Sequence, residues 1–220
     1  IPAVSFKGPT LAASVYGTLA LREFVDLDIL IQHHKFREGQ ELLLGAGYEL
    51  VVMPNFKGQQ HFFHPCSNVN VDLHQQIMPS EFLSARLLDL EALWPRLQQV
   101  SVTGQTVAGL SPEDWAILLC LQVTKEGWHV LKGVDGKFMP LNKIYDLAKF
   151  VSICQDLNWK RLMERAETGG IARALVTGLL LTHQLLKIPL ADQVTQHIRT
   201  DPVVRLYALW MRRHLLAELN

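Results

Sequence analysis

In the run Phe24-Val-Asp-Leu-Asp-Ile-Leu-Ile31, two aspartates stand two residues apart among aliphatic neighbours. Side chains alternate between the faces of a strand. Val25, Leu27, Ile29 and Ile31 are therefore expected to face a core, with Asp26 and Asp28 together on the other side. Two carboxylates so placed repel, and without a counter-charge one takes up a proton. A divalent cation removes that penalty, and Mg²⁺ suits both carboxylate oxygens and substrate phosphates. A second run, Val69-Asn-Val-Asp-Leu-His74, alternates in the same way. If the two strands are neighbours, Asp72 becomes a third carboxylate at one site. Three carboxylates around one or two metal ions suit in-line phosphoryl chemistry. One ion lowers the pKa of the attacking hydroxyl and the other neutralises the leaving pyrophosphate. The plainer alternative is a polar, half-solvated strand face, because Asp-x-Asp alone is a weak motif.

The residues before the first aspartates bear on that choice. Phe6-Lys-Gly-Pro-Thr10 lies between a short strand and a helix. Such a turn aims backbone N–H groups and a helix N-terminus at one point, a ready anion site. Lys7 adds a point charge for phosphate, and Thr10 a hydroxyl. An ordinary strand-to-helix turn is the alternative. His74 shares a face with Asp72 and would orient an acceptor, act as a base, or hydrogen-bond a neighbour. His61, His64 and Cys66 are zinc-type ligands, but two histidines three apart on a strand face opposite sides, poor geometry for a tetrahedral ion. They read as loop histidines near a hairpin. In the helical half, Lys125, Trp128 and Lys132 offer a base-stacking and phosphate-binding edge, against the alternative that the Trp is core.

These residues need elements to hold them. Ala3–Phe6, Val25–Ile31, Tyr48–Met53, Gln60–Phe63 and Val69–His74 are short, rich in β-branched or aromatic residues and bounded by Gly, Pro or Asn, so they read as strands. Pro9–Tyr16 and Lys35–Leu44 read as helices, the second stopped by Gly45 and Gly47. From about Ser80 onward the pattern reads as helical. Ser111-Pro-Glu-Asp114 starts one helix, Asn158 caps another that Gly169-Gly170 stops, and Asp201-Pro202 starts a third. Thr103-Gly-Gln-Thr106 breaks the pattern near the joint between the halves. The expectation is an α+β chain: residues 1–104 form a small mixed-sheet domain and residues 105–220 an α-helical one.

The 220 residues are 49% hydrophobic and 19% charged, which excludes a disordered chain. Lys plus Arg and Asp plus Glu are both 21, so the net charge is zero and a long nucleic acid is disfavoured as a partner. Three scattered cysteines argue against a disulfide framework and for a reducing, cytoplasmic setting. No apolar run approaches the roughly 20 residues a bilayer requires, so no membrane partner is expected. The chain opens on Ile-Pro with neither Met nor a basic lead, as a trimmed or internal fragment would.

The strand, Gly-containing turn, helix, Asp-x-Asp strand and third-Asp strand together resemble the nucleotidyltransferase superfamily built on the DNA polymerase β catalytic fold. More closely, the chain resembles the bacterial group of uncharacterised nucleotidyltransferases. The resemblance rests on Lys7-Gly8, Arg22 four residues before Asp26, Asp28, Val71-Asp-Leu-His74, Trp128, Tyr145-Asp-Leu-Ala148 and Trp159-Lys-Arg-Leu162. It covers nearly the whole chain, and the order and spacing of the motifs carry it. It departs at Gly8-Pro9, where the superfamily has Gly-Gly or Gly-Ser, and at Gln122 and Glu126, near where the close group has His.

The resemblance implies Mg²⁺- or Mn²⁺-dependent transfer of a nucleoside monophosphate from an NTP, such as ATP, to a hydroxyl or phosphate of a small molecule, peptide, protein or RNA end. Asp26, Asp28 and Asp72 would be catalytic and hold the metals. Lys7, Gly8, Thr10, Arg22, His74 and Lys125 would contact nucleotide, metal or acceptor, Arg22 equally well pairing with an Asp. The alternatives are a phosphotransferase on the same metal-NTP site, or a module that binds a nucleotide or a protein partner without turnover.

Overall fold

A computed structural model describes residues 1–51, 58–78, 91–132 and 141–218 of the chain. The chain divides into two compact units, Ile1–Ser111 and Pro112–Asn220. Among the described residues, the first is a mixed sheet with two α-helices and a hairpin, and the second is helical. The fold class is α+β.

In the first unit the order is β1 (Ala3–Ser5), α1 (Gly8–Tyr16), β2 (Asp26–Ile31), α2 (Phe36–Gly45), β3 (Glu49–Val51), β4 (Gln59–His64), β5 (Val69–His74), β6 (Gln98–Val102) and β7 (Gln105–Gly109). Five strands form one sheet in the order β1-β2-β5-β4-β3. β2 and β5 run parallel; the other pairs are antiparallel. The alternation expected of β2 and β5 places Leu27, Ile29, Val69, Val71 and Leu73 in one apolar cluster with Ile31 and Phe62, covered by Phe36 and Leu43 of α2. Each side chain fully buried there contributes roughly 1.5–3 kcal/mol. Val25 departs from the expectation. It precedes the strand and is 83% exposed, because the ladder with β5 begins only at Asp26 opposite Asn70.

The region from about Ser80 is not helical throughout. Residues 79–90, and the expected strand residues Val52 and Met53, lie outside the described residues. After a 3₁₀ turn at Trp94–Arg96, β6 and β7 form an antiparallel hairpin. Thr103 and Gly104 both have positive φ, 49° and 82°, the two-residue turn that matches the twist of a hairpin. The hairpin packs on α1 and β1. Gln105–Gly109 is therefore a strand, and helices resume only at Pro112.

The second unit comprises α3 (Pro112–Leu131), α4 (Leu141–Ile153), α5 (Trp159–Thr168), α6 (Ala172–Leu186), α7 (Asp192–Thr200) and α8 (Pro202–Glu218). The Asn158 side chain accepts from Arg161 N–H at 3.0 Å, and Asp201 accepts from Val203 N–H at 3.0 Å, as N-caps do. α6 lies at the centre, touching α3, α4, α5, α7 and α8, with Leu175, Leu179 and Thr182 buried while Leu186 emerges at its end. No helix among the described residues is long and apolar enough to cross a membrane.

One buried acid in this unit stands among cations. Glu126 is 6% exposed. Its Oε1 lies 2.5 Å from Lys143 Nζ and 3.6 Å from Lys125 Nζ, and its Oε2 lies 3.5 Å from His129 Nδ1. Burial works to raise its pKa, but the hydrogen bond from Lys143 and the charges of Lys143, Lys125 and His129 outweigh it and hold the carboxyl below its ordinary value. A carboxyl lowered on folding adds stability that is present above its unfolded pKa, about 4.3, and is lost as pH falls through the folded one. Glu126→Gln should therefore lower stability by about 2 kcal/mol at pH 7, between the values typical of buried and exposed pairs. Urea unfolding at pH 7 and at about pH 3 should show that difference shrinking in acid. An equal deficit at both would mean that packing, not charge, holds Glu126.

Candidate active site

The site begins with a register. Asp28 of β2 pairs with Asp72 of β5, and Asp26 pairs with Asn70. Equivalent positions on adjacent parallel strands carry their side chains to the same face, so the two carboxylates that sequence spacing treated separately become neighbours. Asp28 is 5% exposed. Its Oδ1 accepts from Lys7 Nζ at 2.8 Å and is 2.9 Å from His74 Nε2. Burial pushes its pKa up, but the hydrogen bond from His74, with the charge and hydrogen bond of Lys7, holds it well below the carboxylate range. Asp26 moves the opposite way. Burial raises its pKa first, then the charges of Asp28 and Asp72, against the weaker pull of Lys7 and His61. Asp26 and Asp28 thus differ in ease of ionisation although they share one strand face.

The turn after β1 delivers Lys7. Phe6 N–H donates to the Asp28 carbonyl at 3.3 Å, tying the turn to β2. Gly8 opens α1 with φ +53°, and a Cβ there would stand 3.1 Å from the Asp26 carbonyl oxygen. Only a residue without Cβ fits both the left-handed backbone and that approach. Pro9 occupies the first turn of α1, where no N–H is needed. Phe6 packs edge-on against His74 with ring centroids 4.9 Å apart, and Lys7 Nζ stands 4.9 Å from the Phe6 ring centroid.

The remaining candidates fall elsewhere. Thr10 lies inside α1, fully buried, with its methyl towards Gly109 of the hairpin. Arg22 ends the 3₁₀ turn Leu19–Leu21 and is half-buried. Lys125 belongs to the second unit, beside Glu126. Trp128 is half-buried, with Lys132 Nζ 4.9 Å from its ring centroid. His64 contacts Tyr48 and Ser67 and has no part in the carboxylate cluster, so it and His61 do separate to opposite sides of β4.

His61, which the sequence reads as a loop histidine, stands in β4 and joins the carboxylate cluster. Its Nδ1 lies 2.5 Å from Asp72 Oδ1, while Gln59 Nε2 donates to Asp72 Oδ2. Pairing across the β4–β5 hairpin sets His61 opposite Asp72. The signal existed: a four-residue loop closed by Asn68, with φ 54°, pairs His64 with Val69, and counting back three pairs reaches His61 and Asp72. Beside Asp72 opens a cleft of about 490 Å³ whose lining includes Asp26, His61, Gln60, Leu50 and Val51.

One donor atom each from Asp28, Asp72 and His74 lies within 4.8 Å of the others. Two carboxylates and an imidazole that converge so closely fit a divalent cation of the Mg²⁺ or Mn²⁺ kind. Gly8→Ala tests the frame of the site. It should lower stability by about 1–2 kcal/mol, the cost of a left-handed L-residue, and shift the backbone amide resonances of residues 26–28. Unchanged denaturant midpoints would refute the close approach of Gly8 to β2.

Comparison with known proteins sets this geometry in a family. No curated protein matches the chain. Among solved structures, a lincomycin-bound lincosamide antibiotic adenylyltransferase aligns over 69% of this chain and 87% of its own, at 14% identity and TM-score 0.44. An antigenic nucleotidyltransferase-like protein from Paracoccidioides brasiliensis aligns over 79% and 84%, at 16% identity and TM-score 0.43. Residues 1–187 match the family described as uncharacterised nucleotidyltransferase. That span takes in the Lys7-Gly8 turn, all three aspartates and most of the helical unit, and the chain belongs to this nucleotidyltransferase family.

Proposed function

We propose that the chain is a divalent-metal-dependent nucleotidyltransferase whose reaction centre is the Asp26, Asp28 and Asp72 cluster of the first unit, with the second unit as a helical companion domain. The observation that carries the reading is the alignment of Asp28 with Asp72 across β2 and β5, beside Asp26 and within reach of Lys7. In the reaction, an acceptor oxygen forms a bond to the α-phosphorus of an NTP. The bond from that phosphorus to the bridging oxygen breaks, and pyrophosphate departs with the electron pair. The acceptor proton passes to the carboxylate cluster and on to solvent.

The chain's own residues divide the work. Asp28 and Asp72, joined by His74 or Asp26, would hold the cation. When bound, that cation supplies Lewis acidity to the acceptor hydroxyl and charge neutralisation to the pyrophosphate. Asp28 is kept ionised by Lys7 and His74 and so stays a ligand at any ordinary pH. Among the described residues Lys7 is the ammonium that reaches Asp28, and the Gly8 turn opens α1 beside it, so both would receive the triphosphate. Gln59 and His61 fix the orientation of Asp72, which faces the acceptor. Thr10, buried within α1, supports the turn from behind.

The test is thermal stability with each of the four NTPs, with and without Mg²⁺ or Mn²⁺, for the chain and for Asp26→Asn and Asp72→Asn. A ligand at about a hundred times its Kd adds about 2.7 kcal/mol, several degrees for a domain of this size. The expected result is a metal-dependent rise with at least one NTP that both variants lose. The mass gained by an acceptor then separates nucleotidyl from phosphoryl transfer. Full NTP protection in both variants would remove the aspartates from the site.

A further inference from the structure

We propose that a divalent cation sits between Asp28, Asp72 and His74 with the imidazole nitrogen as one of its ligands, and that this nitrogen makes the site take a first-row transition cation in preference to Mg²⁺. Asp26 stands outside that ligand set. The inference deepens the metal-dependent reading above and rests on it for what the cation serves.

The first argument is the register. On the acidic face, Asp26, Asp28 and Leu30 of β2 stand opposite Asn70, Asp72 and His74 of β5. Same-face neighbours along one strand are about 6.6 Å apart. Asp26 and His74 therefore lie on opposite sides of the Asp28–Asp72 pair, and a cation close to one is far from the other. Among the described residues, the donor atoms that converge within 4.8 Å are those of Asp28, Asp72 and His74. Asp28 and His74 are each 5% exposed, whereas Asp26 lines the cleft. The cation position is thus on the buried side of the pair.

Distance supplies the second argument. Ligands about 2.1 Å from an octahedral cation stand about 3.0 Å apart when adjacent and about 4.2 Å apart when opposite. His74 Nε2 and Asp28 Oδ1 are 2.9 Å apart, close to the adjacent spacing. A neutral imidazole with its proton on Nδ1 offers Nε2 as a lone pair. A cation can then replace the proton between the two atoms with hardly any movement of either. The widest span in the cluster, up to 4.8 Å, reaches the opposite spacing with a shift of about 0.6 Å. The donors are also held in advance. Phe6 packs edge-on against the His74 ring, and His61 and Gln59 take the oxygens of Asp72. Outer partners of this kind orient metal ligands. The bound cation repels the Lys7 ammonium, 2.8 Å from Asp28 Oδ1, and turns it toward phosphate.

The third argument is donor chemistry. Mg²⁺ prefers oxygen, keeps several waters, and is usually held by one or two carboxylates together with substrate phosphates. Imidazole suits transition cations, whose affinity for a given site rises from Mn²⁺ through Co²⁺. One nitrogen and two carboxylates on a buried face hold such a cation without a nucleotide. Asp26, on the cleft side, is left to a cation that arrives with the triphosphate.

The test uses the full chain without nucleotide. Free Mn²⁺ is titrated by electron paramagnetic resonance, and bound Mn²⁺ is read by electron spin-echo modulation, which detects a directly coordinated ¹⁴N. Mn²⁺ should show that modulation and bind at least about tenfold more tightly than Mg²⁺, and Co²⁺ should displace it more readily than Mg²⁺ does. His74→Gln should remove the modulation and weaken Mn²⁺ at least about tenfold, while His61→Asn and Asp26→Asn keep it. Labelling the wild-type chain with ¹⁵N-histidine assigns the coupling to an imidazole even if the His74 variant does not fold. Bound Mn²⁺ without nitrogen modulation would overturn the proposal. So would modulation that survives His74→Gln or is lost with His61→Asn or Asp26→Asn. Mg²⁺ within about threefold of Mn²⁺, or no Mn²⁺ bound by about 5 mM, would overturn it as well. In either case a thermal rise with an NTP would leave the transfer reading standing. Nitrogen-bound Mn²⁺ with no such rise would instead overturn the transfer reading and leave the cation site.

Discussion

The register of β2 against β5 sets Asp28 beside Asp72, and like charges facing each other across a ladder destabilise a sheet. The first unit is arranged around that conflict. Lys7 and His74 both reach the same oxygen of Asp28, and His61 and Gln59 take the two oxygens of Asp72. Asp26 is left with the residue of the repulsion, and its pKa rises under burial and the two neighbouring charges. A sheet built for stability alone would not concentrate acids in this way, and neighbouring acids whose pKa values are pushed apart, as those of Asp26 and Asp28 are, commonly mark reactive sites.

The parts that balance the cluster are themselves held by the backbone. Lys7 reaches Asp28 only because the turn is pressed onto β2, and Gly8 permits that approach. His74 is fixed by its place at the end of β5 and by the edge of the Phe6 ring. Behind the sheet, the cluster around Ile31, Phe62, Val71 and Leu73 keeps β2, β4 and β5 in register. A slip of one residue would turn every carboxylate into that apolar layer. Core packing and the chemistry of the polar face are therefore one constraint read from two sides of the same strands.

The second unit solves a related problem differently. Glu126 is buried among Lys143, Lys125 and His129, so there one acid serves several cations. Arg165 likewise lies 3.4 Å from Glu113 and 3.2 Å from Asp114 at the start of α3. These pairs join α3 to α4 and α5. Buried ion pairs add little net stability, but breaking them leaves an uncompensated charge, which favours one helix arrangement over its neighbours.

Much of this was legible from residue types and spacing. The alternation in Asp26–Ile31 and Val69–His74 requires two half-buried strands, each with acids on one face, because the period of a strand is two whatever it pairs with. Pro9, Asn158 and Asp201 announce helix starts, because backbone donors at a helix end need local partners. Local signals failed where their competitor was also local. The hairpin from Gln98 to Gly109 was missed because Thr103-Gly104 reads equally well as a break between helices. Tertiary structure alone decided which side chains meet. Spacing could not say that Asp28 opposes Asp72, that Lys7 and His74 share one oxygen of Asp28, or that Asp26 becomes harder to ionise than Asp28. Those facts depend on the pairing of strands some forty residues apart and on burial, which no property of a single segment determines.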